Sequence, residues 1–144
     1  MNLSSYIEKR NGVPLGHKDS LKNMLTRSLG AGKFSTFWKY WNPIWSYYLG
    51  KFIFKPLKKI LPAAPSLLLT FIICGFVHDV IIIMVRSKII LLFTPWFFFM
   101  GCFVLLTNWL KLDYSNLQWP LRALINLLFI LGCLYLAYQV KIEI

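Results

Sequence analysis

Three apolar runs leave this chain few ways to fold. Residues 66–85 read SLLLTFIICGFVHDVIIIMV, residues 89–110 read IILLFTPWFFFMGCFVLLTNWL, and residues 120–140 read PLRALINLLFILGCLYLAYQV. Crossing a hydrocarbon core of about 30 Å takes roughly 20 helical residues, so each run is long enough. Backbone in lipid must satisfy its own hydrogen bonds, which selects helix for each run. Lys58 and Lys59 precede the first run, and Arg86 and Lys88 follow it. Pro95 in the second is a kink that lipid tolerates, and Pro120 suits a helix N-terminus. The short link at 86–88 makes the first two spans antiparallel neighbours, and KLDYSNLQW at 111–119 makes the second turn. The expected fold class is an all-α, multi-pass integral membrane protein with about three transmembrane helices.

Composition points the same way. A chain of 144 residues that is 58% hydrophobic has more apolar surface than a soluble domain of this size can bury. Residues 1–32 are polar and punctuated by Gly12, Pro14, Gly16, Gly30 and Gly32, which predicts a loosely structured arm with one short helix over 20–29. Their first twenty residues have no apolar stretch of the secretory-signal kind. Residues 33–144 then form the membrane domain. Its first part, 33–60, crowds aromatics between lysines: Phe34, Phe37, Trp38, Tyr40, Trp41, Trp45, Tyr47, Tyr48, Phe52 and Phe54. Trp and Tyr favour the headgroup level and Lys snorkels outward, so this stretch predicts amphipathic interfacial helices, broken by Pro43, Gly50 and Pro56.

The net charge is +11, and most basic residues lie in the first 60 positions with only Glu8 and Asp19 against them. Beside such apolar runs the expected counter-charge is anionic lipid rather than nucleic acid, and the bias predicts a cytoplasmic amino terminus. Cys74, Cys102 and Cys133 all fall inside apolar runs and have no metal-ligand spacing. With only His17 and His78 besides, no metal site is expected. His17, in the polar arm, reads as a surface residue.

His78 and Asp79 stand out because every neighbour suits hydrocarbon. At about 1.5 Å per residue, His78 lies about 18 Å along the helix from Ser66, near the membrane midplane. An ionisable side chain at that depth faces a protein interior or a wet cavity. Cys74 and Gly75, on the same helical face, leave room for a substrate or a neighbouring helix beside the imidazole. Two roles are open for His78: tying helices together through a hydrogen bond, or meeting a reactant. Asp79 points about 100° away around the helix, and a structural role is expected for it, with Arg86, Arg122 or Asn108 as partner.

Two stretches together carry a resemblance. Phe37-Trp38-Lys39-Tyr40-Trp41-Asn42, followed by Phe52-Ile53-Phe54-Lys55-Pro56-Leu57, resembles the aromatic-basic element of the membrane-bound O-acyltransferase family. Gly75-Phe76-Val77-His78-Asp79 then stands where that family has its intramembrane histidine, with Val77 in place of the usual Trp. The resemblance covers about 34–85, and this chain is far shorter than the family norm.

The resemblance implies transfer of an acyl group from a thioester, with acyl-CoA as co-substrate and no other cofactor, to a hydroxyl acceptor. It gives His78 the catalytic position and Asn42 that of the second polar residue, and it implicates Trp38 and Trp41 in substrate binding. A neutral imidazole accepting the hydroxyl's proton contributes roughly 10²–10⁴ in rate, and an amide donor such as Asn42 orients the acceptor or steadies the oxyanion. Lys55, Lys58 and Lys59 have two readings, contacts to the CoA phosphates or positive-inside anchoring beside a span. The alternative to an enzyme is a non-catalytic membrane subunit of the same type that binds a partner or lipid. A homo-oligomer or membrane partner completing the cavity fits the short chain, and a small channel or transporter is a third class.

Overall fold

The computed structural model describes residues 1–143. Its elements run α1 (Leu3–Asn11), α2 (Ser20–Leu29), α3 (Phe34–Tyr40), α4 (Pro43–Leu49), a π-helical turn (Gly50–Phe54), α5 (Lys55–Leu57), α6 (Ala63–Arg86), β1 (Ile90–Leu91), α7 (Phe93–Trp109), α8 (Trp119–Val140) and β2 (Ile142–Glu143). The described residues are thus all-α apart from a two-residue antiparallel ladder, in which Ile90 pairs with Glu143 and Leu91 with Ile142.

By length and composition, α6 and α8 are long and apolar enough to cross a membrane, at 24 and 22 residues. The run at 89–110 behaves differently from the expectation. Only 17 of its residues are helical, about 26 Å of helix at 1.5 Å per residue. Two causes shorten it. Ile90 and Leu91 are extended because they pair with β2, and the side chain of Asp79 caps the new helix start at Phe93 and Thr94. Pro95 then sits in the first turn, where its missing N–H costs nothing.

Helices α6 and α7 are antiparallel neighbours. Near one end Gly75 abuts the backbone of Phe93 and Thr94, and further along Gly101 lies against Leu68 and Phe71. A Cβ on Gly75 would come within 2.4 Å of the Phe93 carbonyl oxygen, so this close crossing requires glycine. The room that Cys74 and Gly75 offer is therefore taken at Gly75 by the neighbouring helix.

The amino-terminal segment is more ordered than an arm. It forms two helices, α1 as well as the expected α2, and buries Ile7, Asn11, Ser28 and Ala31. It is bolted to the far end of the bundle by polar contacts. Asn126 of α8 donates through Nδ2 to the carbonyls of Leu29 and Ala31, both at 2.9 Å, and accepts from the Tyr114 hydroxyl at 2.6 Å. The Trp119 indole N–H donates to the Thr26 carbonyl at 2.9 Å. Lys33 pairs with Asp113 at 3.2 Å, and the Gly32 carbonyl accepts from Tyr114 N–H.

The aromatic segment packs on the bundle. Phe34 and Phe37 are buried in the core with Ala31 and Val104, and Trp38, Trp41, Phe71 and Phe129 pack against them. Edge and stacked ring pairs knit this cluster, each contributing about 0.5–1.5 kcal/mol beyond area burial. An aromatic with no charge on its inward face serves a core as well as a headgroup layer, and composition does not distinguish the two. Of the three expected breaks only the one at Pro43 ends a helix. Asn42, at φ 40°, turns the chain, while Gly50 has helical angles and the helix continues through Pro56. Pro56 lacks an N–H and its ring crowds the carbonyl one turn back, and the backbone meets this with the π turn just before it.

Candidate functional site

Cys74 and His78 are one helical turn apart on α6, so their groups meet on the same face. The His78 Nδ1 lies 2.7 Å from the Cys74 carbonyl oxygen. A carbonyl only accepts, so Nδ1 carries the proton in this contact, and in the neutral form of the ring the lone pair is on Nε2. Two rings of α7 hold the imidazole: Phe93 and Phe97 stack on it with centroids at 5.5 and 5.3 Å. Trp45 of α4 meets it edge-on at 6.3 Å and donates its indole N–H to the Cys74 sulfur at 3.1 Å. The imidazole is half-buried, and Nε2 has no protein partner among the described residues.

These groups line a half-open cavity of about 230 Å³. Its walls are Trp38, Trp41, Trp45, Leu49, Phe54, Leu67, Phe71 and Phe97, with Asn42, Ser46, Thr70, Cys74 and His78 as polar or sulfur-bearing members. The π turn contributes Gly50 and Phe54. Helix α4 begins beside Cys74 and His78, while α5 ends just before α6 starts, so residues 43–57 run back along α6 and roof the cavity.

Of the residues singled out in the sequence, His78, Asn42, Trp38 and Trp41 come together around this one cavity. Lys55, Lys58 and Lys59 are exposed and do not line it. The Lys58 ammonium lies 5.9 Å from the ring centre of the lining residue Phe54. Asn42 has a structural duty, since its Oδ1 accepts from Trp45 N–H at 3.3 Å and caps α4. Its Nδ2 has no protein partner among the described residues. The Trp38 indole nitrogen is buried without a partner.

Asp79 is 1% exposed and lies outside the cavity lining. Its partners are not Arg86, Arg122 or Asn108. Oδ1 accepts from the backbone N–H groups of Leu92 and Phe93 at 3.1 and 2.8 Å, and Oδ2 from Thr94 N–H at 2.7 Å and Thr94 Oγ1 at 2.6 Å. The open N–H groups of a helix start are a match for a carboxyl group that no side-chain inventory reveals.

Trp45, Cys74 and Phe97 were not singled out in the sequence as site residues. Trp45 carried one usable signal: with a break predicted at Pro43, it is the third residue after Asn42, the position whose N–H an Asn cap accepts from. Phe97 is one aromatic among several in its run, and only packing sets it apart. Among the described residues no group of three or more His, Cys, Asp or Glu side chains is placed to hold a metal ion.

Fold and site together define an all-α chain with two helices long and apolar enough to cross a membrane, and an apolar cavity furnished with a single imidazole. Comparison with protein-family models, with curated proteins and with solved structures found no match to this chain.

Proposed function

We propose that this chain is a multi-pass membrane protein of the O-acyltransferase type, in which His78 is the general base that moves an acyl group from a thioester to a hydroxyl. The membrane setting is supported by the exposure of α6 and α8: most of each apolar stretch faces outward, including Ile81, Met84, Leu128 and Leu131. A soluble core helix buries such a surface, whereas lipid covers it. In this reading α7 completes the spanning group, with the β1–β2 ladder just before its start, and the basic amino-terminal half faces the cytoplasm.

The single observation that carries the chemistry is the orientation of the imidazole. With Nδ1–H donated to the Cys74 carbonyl, Nε2 is the basic nitrogen, and it has no competing protein donor. In the first step Nε2 takes the acceptor's hydroxyl proton as the oxygen bonds to the thioester carbonyl carbon. The carbonyl oxygen becomes an oxyanion, and Asn42 Nδ2 is a donor available to it. In the second step the carbon–sulfur bond breaks, the ester carbonyl reforms, and His78 returns the proton to the departing thiolate. The apolar walls suit an acyl chain.

A second reading is favoured by Asn42, whose cap bond to Trp45 is a structural duty. In it the cavity binds an acyl chain or lipid without turnover, as a subunit of a larger assembly.

One experiment separates the two. Purified protein in lipid nanodiscs is given a panel of acyl-CoA donors and hydroxyl acceptors, and free thiol is followed for wild type and for His78→Ala. The enzymatic reading expects thiol release that falls about 10²–10⁴-fold in the variant. Equal rates in both proteins end it. Bound acyl chain without thiol release in either protein leaves the binding reading in its place.

A further inference from the structure

A second cavity, of about 540 Å³, opens between the loop at 30–33 and the first turn of α8. Arg27, Arg122, Thr36 and Tyr40 line it, together with Gly30 and Trp119. Its chemistry is the opposite of the first. Among the described residues no acidic one lines it, in a chain with 16 basic and only 5 acidic residues.

Arg122 is the informative group. It is half-buried on α8, its Nε is buried without a hydrogen-bond partner, and no carboxylate pairs with it among the described residues. It also lies in the opening turn of a helix that has no acidic residue there. The positive end of the helix dipole and an unpaired guanidinium therefore coincide, an arrangement that is unfavourable until an anion arrives. Arg27 flanks it, fixed by a 3.0 Å hydrogen bond from Nη1 to the Arg10 carbonyl. The hydroxyls of Tyr40 and Thr36 have no protein partner among the described residues. Lys33, the basic residue of the adjoining loop, is paired with Asp113.

The loop and the helix start approach closely. A Cβ on Gly30 would lie 2.4 Å from the Trp119 indole, and one on Gly32 would lie 2.5 Å from Ser115. The loop is thus pressed under the start of α8, where Trp119 clamps Thr26 and Asn126 holds Leu29 and Ala31.

We propose that this cavity is a phosphate-binding site, with Arg122 as principal ligand and Arg27, Tyr40 and Thr36 around it. A planar guanidinium with flanking hydroxyls suits the tetrahedral oxygens of a phosphate ester. The volume leaves room for an organic substituent. Two sources share this chemistry, the headgroup of an anionic phospholipid and a phosphate free in solution. The site does not depend on turnover at His78.

The test uses the full chain. Wild type, Arg122→Gln, Tyr40→Phe and the surface control Lys58→Gln are purified in detergent and offered mixed micelles of phosphatidylglycerol and phosphatidylcholine. Retained lipid is counted by native mass spectrometry. In a second arm, inorganic phosphate is titrated against thermal unfolding in phosphatidylcholine nanodiscs. For wild type we expect preferential retention of phosphatidylglycerol if the source is lipid, or a phosphate-dependent rise in Tm if it is soluble. In whichever arm responds, Arg122→Gln weakens binding about tenfold or more. Lys58→Gln weakens it by no more than about fivefold, the general effect of one basic residue near an anionic surface. Tyr40→Phe, which removes only a hydroxyl, gives a smaller loss in the same direction and stands in should Arg122→Gln not fold. No response of wild type in either arm overturns the proposal. So does an equal loss in Arg122→Gln and Lys58→Gln, or, where Arg122→Gln does not fold, Tyr40→Phe binding like wild type.

Discussion

Asp79 and Thr94 are joined twice: one carboxyl oxygen of Asp79 accepts both the backbone N–H of Thr94, at 2.7 Å, and its hydroxyl, at 2.6 Å. The other oxygen takes the N–H groups of Leu92 and Phe93. A side chain from the middle of α6 thereby ends the preceding loop and starts α7. The same contact sets Phe93 and Phe97 against the ring of His78, one residue away on α6.

Asp79→Ala removes four hydrogen bonds and leaves the first N–H groups of α7 unmet in an apolar setting. We expect a loss of about 3 kcal/mol, within the range for buried bonds to an ionisable group. Unfolding in detergent, followed by circular dichroism, measures it. Thr94→Val removes one of the four bonds and costs about 1 kcal/mol. A neutral result for Asp79→Ala would mean that the cap is dispensable.

Gly75→Ala tests the approach of α6 to α7. The added methyl meets backbone atoms, the Phe93 carbonyl at 2.4 Å and the Thr94 Cα at 2.8 Å, so no side chain can swing away to admit it. The expected cost is about 1–3 kcal/mol, typical of overpacking. Because Phe93 moves with the backbone, a fluorine probe on that ring should also report an altered environment in the folded variant.

Asn126 gives a third prediction. It is fully buried in α8, and its two donor bonds hold the carbonyls of Leu29 and Ala31. Asn126→Ala removes these and the bond accepted from the Tyr114 hydroxyl, so it should destabilise the chain by about 3 kcal/mol, roughly 1 per bond, and free the amino-terminal segment first. Hydrogen exchange resolves this order: amides of α2 should lose protection at lower denaturant than those of α6. Simultaneous loss in both helices would contradict it.

Two loop groups predict how stability follows pH. The Ser115 hydroxyl and N–H, then Lys33, hold the Asp113 carboxyl at about 2, below its ordinary 3.8. A depressed folded value means that its contribution is present above the ordinary value and disappears as pH falls through about 2. Burial, and secondarily the Asp113 charge, pushes the Tyr114 hydroxyl up to about 12 from 10.0. That contribution is present below the ordinary value and is lost as pH rises through about 12. In a series of Tm against pH, Asp113→Asn should converge with wild type at the acid end and Tyr114→Phe at the alkaline end. Parallel curves across either range would refute the assignment.

Much of this architecture is legible in the residues. Long apolar runs force helix at α6 and α8, and Asn42-Pro43 marks a chain turn, because these depend on local hydrophobicity, caps and proline geometry. The aromatic segment was ambiguous for a physical reason: Trp, Tyr and Phe satisfy a headgroup layer and a protein core alike. Only neighbours from α7 and α8 show that Phe34 and Phe37 belong to a core. The three lysines near 55–59 were equally ambiguous, since snorkelling and ligand binding need the same side chain.

By itself the sequence determined that His78 and Asp79 sit in an apolar helix and point in different directions, since a fixed rotation of about 100° per residue requires it. Which of them faces a cavity and which caps a helix was decided by the tertiary structure. A cap needs the open N–H groups of α7, and a cavity needs walls from α3, α4 and α7. Both depend on contacts between residues distant in the chain, and local pattern carries no record of them.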